Sequence, residues 1–242
     1  MTKIMGSLLV LLFCATPFFA QNKEKKRDGD ASDKREMRDF NAIDIELAAD
    51  IFVRQGDNFS FEAEGSESVL DGIETEVKDG KLYITTQSNW RKWNQFEKAR
   101  IYITMPTLNG LFFSGLGKLE LQGKWVGQKL NVELEGAHNV YARNITLEAL
   151  KIEFDGTGSI EIGGQSDKAS LVINGTGYID ANDLQVQSAR CAVNGLGKLE
   201  CNVSDELLAD VSGMGSILYR GEPKNVRSSV NGLGKVKAQK GF

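Results

Sequence analysis

What this chain lacks narrows its chemistry first. It holds one histidine, three prolines and three cysteines in 242 residues. A single histidine excludes a multi-histidine metal site, and any Ser-His-Asp or Cys-His constellation would have to be built on His138. The setting Glu135-Gly136-Ala137-His138 predicts a turn filler instead. With so few prolines and 26 glycines, the composition suits many short strands joined by tight turns. Beyond the first twenty residues no apolar run approaches membrane-spanning length.

Those first residues read as a signal peptide, 1–20. Lys3 supplies the positive start, Leu8 to Phe13 the apolar run, and Phe18-Phe19-Ala20 the cleavage site. A lipoprotein would need a small residue before Cys14, where Phe13 stands. The expectation is an exported protein, in the periplasm, on the outer-membrane surface or secreted. After cleavage 28 basic and 33 acidic residues remain, net −5. That mild acidity argues for neither nucleic acid nor anionic lipid as a partner. Residues 21–38 mix both charges with Met37 as the one sizeable apolar group, so a solvated tether is expected there.

From Phe40 the texture changes. Phe40, Ile43, Ile45 and Leu47 alternate; Ile51-Phe52-Val53 precedes Gly56-Asp57; Val77-Lys78-Asp79-Gly80-Lys81-Leu82-Tyr83-Ile84 reads as a hairpin with an Asp-Gly turn. Ile101 to Met105 is a strand stopped by Pro106. Between these strands lies Asn89 to Phe96, where Trp90, Arg91, Lys92, Trp93 and Phe96 form the candidate binding patch. Tryptophan beside cations suits stacking on sugar rings or anchoring a partner, while a covering loop folded over the sheet accounts for the same residues.

After Leu108 repeats take over. Seven turns are expected, marked by Gly115 and Gly117, by Gly136, by Gly156 and Gly158, by Gly175 and Gly177, by Gly195 and Gly197, by Gly213 and Gly215, and by Gly232 and Gly234. Their leading glycines fall 21, 20, 19, 20, 18 and 19 residues apart. Alternating strands run up to and away from each turn, so about twenty residues make two strands and two turns, one coil of a β-solenoid. Near-constant spacing favours strands that pair with the next coil over a hairpin meander, whose loops drift in length. Glycine is expected where stacked backbones come close, and the Asn, Asp or Ser before it is expected to bond neighbouring amides. Cys191 and Cys201 flank the Gly195 turn and share inward parity, consistent either with buried thiols or with a disulfide across the coil.

The block from Phe40 through Gly56 and Val77–Ile84 to Ile101-Tyr102-Ile103-Thr104-Met105-Pro106, followed by Gly-x-Gly turns in register, resembles the head GIN domain family of putative autotransporter adhesins. The resemblance covers roughly residues 39–240. It implies an exported all-β protein with a single-stranded right-handed, pectin-lyase-like β-helix, an adhesion role and no established catalytic residues. Residues 39–108 would form an N-terminal β part and 109–242 the repeat part. The sequence departs from the pattern at His138, where the second glycine is replaced, and a distorted coil is expected there.

Other chemistry fits poorly. Gly-Leu-Gly-Lys at 115–118, 195–198 and 232–235 is followed by Leu119, Leu199 and Val236, whereas a phosphate-binding loop needs Ser or Thr. A nine-residue calcium roll does not fit a period of twenty. Asp155 and Asp210 lie near turns, but no repeat clusters carboxylates as a polysaccharide lyase would. No catalytic residue, cofactor or metal is expected. The expected partners are an envelope, host or matrix protein or a glycan, and homo-oligomers follow from the open ends of a solenoid. Alternatives are a carbohydrate-binding or polysaccharide-degrading protein working near Trp90 and Trp93, or a periplasmic scaffold or sensor.

Overall fold

Parallel pairing at a sequence offset near twenty residues organises the strands from Gly110 onward. The computed structural model describes residues 31–87 and 98–239. The signal segment 1–20, the first part of the tether and the patch of Trp90, Arg91, Lys92, Trp93 and Phe96 therefore lie outside the described residues. What is described is nearly all β, an open sheet of thirteen strands with one short helix. In order these are β1 (Ala31–Arg35), β2 (Ala42–Glu46), β3 (Ala49–Gln55), β4 (Ser60–Gly65), α1 (Glu67–Leu70), β5 (Ile73–Lys78) and β6 (Lys81–Thr86). Then follow β7 (Ala99–Met105), β8 (Gly110–Gln122), β9 (Trp125–Gly195), β10 (Lys198–Gly213), β11 (Ser216–Arg220), β12 (Asn225–Gly232) and β13 (Lys235–Ala238).

β9 runs for 71 residues without a break. Laid straight it would span about 230 Å, so it must coil back on itself. The pairing shows how. Gly110 of β8 lies beside Asn131 of β9, Tyr178 of β9 beside Lys198 of β10, and Lys198 beside Ser216 of β11, all parallel. The segments on either side of a glycine corner therefore pair with the next coil and not with each other. Two ladders result. One runs from β5 through β6, β2 and the first half of β8 to the second half of β10 and β12. The other runs from β1 through β4, β7, β3 and the second half of β8 to the first half of β10, β11 and β13.

Alternation sends every second side chain inward, where register stacks like on like. Ile43, Leu111 and Val132 form one row and Ile45, Phe113 and Leu134 the next, each at most 5% exposed. Each such side chain contributes about 1.5–3 kcal/mol by leaving water. The Asp79-Gly80 hairpin forms as expected between β5 and β6, with φ of +52° and +74° at the turn.

The leading glycines form one column. Gly195 has φ of +138°, and a Cβ there would run into the carbonyl oxygen of Gly175. That carbonyl accepts from the Leu196 amide at 3.0 Å, and the next two coils repeat the bond from Met214 and Leu233. The second glycines divide into two groups. At Gly177, Gly197, Gly215 and Gly234 a Cβ would press first on the core side chains Phe154, Ile173, Val193 and Val211, and at the last three also on the carbonyl oxygen of the second glycine one coil earlier. At Gly117 and Gly158 it would instead run into backbone, the carbonyl oxygens of Ala49 and His138. Asn194, before its corner, donates to Asn174 one coil earlier at 2.8 Å rather than accepting from a neighbouring amide.

Three other expectations change. Not every glycine pair forms a turn that separates two strands. Gly115 and Gly117 lie inside β8, and Gly136, Gly156, Gly158, Gly175 and Gly177 lie inside β9, as bends in continuous strand. Parallel pairing with the neighbouring coil carries on round these corners, although φ is positive at Gly115, Gly136, Gly156, Gly158 and Gly175. Only from Leu196-Gly197 onward, and again at Met214-Gly215 and Leu233-Gly234, does the corner interrupt the strand.

The coil at His138 is not distorted; register runs unbroken through Gly115–Gly136, Leu116–Ala137 and Gly117–His138. Part of the segment read as tether is ordered, since β1 pairs antiparallel with β4. Arg35 holds it there, lying 5.7 Å over the Phe61 ring and donating to Asp33 and Thr75. Composition registers missing apolar side chains but not a backbone edge waiting for a partner. Cys191 and Cys201 are free, buried thiols, and contact with Cys201 followed by burial pushes the Cys191 thiol well up.

Replacing Gly195 by Ala should cost about 2–4 kcal/mol, because positive φ and a rigid backbone oxygen both oppose the methyl. Gly215→Ala, whose main obstacle is the Val193 side chain, should cost less, and Arg190→Ala on the surface under about 0.5 kcal/mol. Guanidinium unfolding midpoints test the order; equal losses at Gly195 and Arg190 would refute the role of the column.

Candidate functional site

Outward positions of the second ladder carry a mixed polar and aromatic surface. In register across β7, β3, β8 and β9 stand Tyr102, Phe52, Glu120 and Tyr141. Phe52 and Tyr102 stack with centroids 5.0 Å apart and planes at 15°. The Lys118 ammonium lies 5.0 Å from the Phe52 ring and 5.6 Å from the Tyr141 ring, and 2.7 Å from Glu120. Arg143 covers Tyr141 at 5.3 Å and grips Glu161 through Nε and Nη2 at 2.7 and 2.8 Å. That paired hydrogen bond raises the Arg143 pKa and lowers that of Glu161.

A cleft of about 570 Å³ opens among Lys118, Glu120, Gln122, Asn139, Tyr141 and Arg143. It combines an aromatic face, two cations, a carboxylate and two side-chain amides, the set that stacks on a sugar ring and exchanges hydrogen bonds with its hydroxyls. Its neighbour Asp50 accepts from the Lys118 amide at 3.0 Å and lies 3.9 Å from the Lys98 ammonium. Lys98 is the first described residue after the stretch containing Trp90 and Trp93. The residues of the cleft were not singled out from the sequence. Tyr141 and Arg143 are two positions apart on one face, but Lys118 and Glu120 reach them only through a 21-residue offset.

Farther along the same face, Glu200 is buried and fully occupied. It accepts from Tyr178, from Asn182 at 3.0 Å and from Gln239 at 2.7 Å, and pairs with Lys198 at 2.8 Å. Burial works to raise its pKa, but hydrogen bonds from Lys198 and Tyr178 outweigh it and the net shift is downward. The same burial and hydrogen bond drive the Tyr178 hydroxyl well up. A carboxylate this well satisfied ties successive coils together.

His138 is not exposed at its corner. Its ring points inward, 1% exposed, with its centroid 4.3 Å from that of Phe113 and Nε2 2.8 Å from the Glu135 carbonyl oxygen. Nε2 therefore carries the hydrogen and donates it, and the buried Nδ1 has no hydrogen-bond partner among the described residues. Burial lowers its pKa. No group of three or more His, Cys, Asp or Glu among the described residues is placed to hold a metal ion.

Coils stacked in parallel register place the chain among stacked-strand β proteins. The comparisons give the particular family. The profile described as "Putative auto-transporter adhesin, head GIN domain" matches residues 39–223, and the chain belongs to that family. The crystal structure of a putative adhesin from Bacteroides fragilis is 27% identical, with a TM-score of 0.82 over 88% of this chain and 98% of the other. A putative adhesin from Parabacteroides distasonis is 25% identical, TM-score 0.68, covering 88% and 99%. A putative lipid binding protein from the same species, 22% identical with a TM-score of 0.70 over 89% and 98%, shares the fold. No curated protein matches significantly. Among the described residues no helix is long and apolar enough to cross a membrane.

Neutral burial of His138 has a measurable consequence. The ordinary value is 6.5, and the folded value lies below it. As pH falls through about 6.5 the unfolded chain takes up a proton that the folded chain refuses, so stability declines with acidity. Between pH 7.5 and 5.5 His138 should therefore contribute a loss of stability that urea unfolding detects. His138→Leu should remove that part of the decline; identical pH profiles for the two proteins would refute it.

Proposed function

We propose that this chain is an exported, non-enzymatic β-solenoid that presents its outward strand face for adhesion or envelope interactions. The observation that carries this reading is the Tyr141 cleft, where Lys118, Glu120, Asn139 and Arg143 surround an aromatic face on a rigid parallel ladder. A ladder with a filled core holds such groups in place, so little ordering is lost when a ligand arrives. Membership of a family described as adhesins supports the same reading. The coil is a single-stranded right-handed β-helix of the pectin-lyase type, because parallel crossovers within one sheet are right-handed in the great majority of proteins.

A carbohydrate is the favoured ligand class, because the cleft pairs a ring face with hydrogen-bonding groups of both charges. Binding of the purified chain to an array of glycans, matrix proteins and envelope fragments tests it. A glycan should be retained, and Tyr141→Ala should weaken its binding about tenfold, the equivalent of roughly 1.4 kcal/mol. An array without retained ligands, or a retained ligand indifferent to Tyr141, would overturn the assignment.

A further inference from the structure

The two ends of the double ladder differ in charge and in closure. At the N-terminal end, α1, β1 and β5 lie over the core, with Phe40, Val69, Leu70 and Ile73 at most 7% exposed beneath them. Residues 31–87 hold 6 basic and 14 acidic side chains, net −8. Glu67 and Asp71 about α1, and Glu74 and Glu76 on β5, form no ion pair with another described residue. Among the described strands β5 is also an edge, pairing only with β6.

The C-terminal end is the reverse. One coil earlier, Leu207, Ala209 and Val211 are 0–2% exposed, but Val226 and Val230 on β12, in register with Leu207 and Val211, are 40% and 44% exposed. All eight residues of β12 are exposed, and no described strand lies beside its outer edge. Leu233 at the adjoining corner is 85% exposed and follows Met214 and Leu196, at 61% and 56%, in the corner column. Residues 223–239 contain Lys224, Arg227, Lys235 and Lys237 and no acid, net +4. Lys224 pairs with Asp205 at 2.9 Å; Arg227, Lys235 and Lys237 form no ion pair with another described residue. The mild net acidity of the chain conceals this polarity.

We propose that the C-terminal coil is an interaction surface for a second copy of this chain, docking β12 against the acidic β5 end in a head-to-tail contact. Three features select this occupant. The free β12 edge needs a strand to satisfy its backbone groups, and β5 offers one. Val226 and Val230 need cover. Charge decides the polarity: two basic ends repel, two acidic ends repel, and a basic end facing an acidic one attracts. Such a heterologous contact does not close on itself as a two-fold dimer does, so it builds rings or filaments. Repeated copies would also multiply any outward cleft along the assembly.

Sedimentation velocity of the purified chain at 50 mM salt should show concentration-dependent oligomers, with apparent association weakened at least about tenfold at 500 mM, where screening is short-ranged. Arg227→Glu/Lys237→Glu and Glu74→Lys/Glu76→Lys should each be monomeric with unchanged circular dichroism, and mixing the two should restore association. A wild type that stays monomeric at low salt, reversed variants that still associate, or folded variants that fail to combine would each overturn the proposal. So would a monomeric wild type that instead co-sediments with phosphatidylglycerol vesicles through Arg227 and Lys237, which would make the end a lipid-binding surface.

Discussion

Close approach of one backbone to the next at the glycine corners is the constraint from which the rest follows. Where each coil bends, the hydrogen of a glycine Cα faces the carbonyl of the glycine one coil earlier, from Gly136 over Gly115 to Gly232 over Gly213. No Cβ fits there, and register at the corner cannot slip without breaking the Leu196, Met214 and Leu233 amide bonds to those carbonyls. Register at the corner is thus carried into both ladders. Inside, it stacks Ile45 on Phe113 on Leu134; outside, it sets Glu120 beside Tyr141. A slip of one residue would turn every aliphatic outward.

A corner so demanding leaves other positions free. His138 occupies the place of a second glycine because the inward space beside Phe113 admits a flat ring, and the leading Gly136 still makes the close contact. One coil later Gly158 sits directly over the His138 carbonyl, so the glycine requirement returns there at once. Outward positions tolerate almost any polar residue, and there the chain gathers the Lys118–Tyr141–Arg143 surface and the Glu200 network. These two clusters resemble each other in composition but differ in use. Glu200 has its hydrogen-bonding capacity filled by the protein, whereas the groups about Tyr141 border an open cleft. The two ends carry the remaining freedom. Each interior coil is covered by its neighbours, and only the first and last must be finished by other means.

Much of the fold was legible in the residues. Glycine spacing identified the coil, alternation identified the inward face, and Asp79-Gly80 identified the hairpin, because each depends on local geometry that a short stretch expresses. That the strand continues through Gly156 and Gly158 was not legible, since a bend and a break use the same residues and only pairing with the next coil separates them. The order of β1 was hidden too, because backbone pairing at an edge and the cover Arg35 places over Phe61 leave no hydrophobic pattern. Nor was the cleft visible. Its members belong to different coils, and the patch singled out from sequence, Trp90 to Phe96, lies outside the described residues.

What the sequence determined by itself is the repeat: its period, its glycine corners and the side of each strand that faces the core. These are properties of neighbours a few residues apart or of one recurring spacing. Which outward residues meet was decided only in three dimensions. Lys118 meets Tyr141, His138 meets Phe113, and Gln239 reaches Glu200, because coils stacked strand to strand bring residues tens of positions apart into contact. The opposition of an acidic, covered end and a basic, open one is likewise a property of the stack, since no single coil has ends.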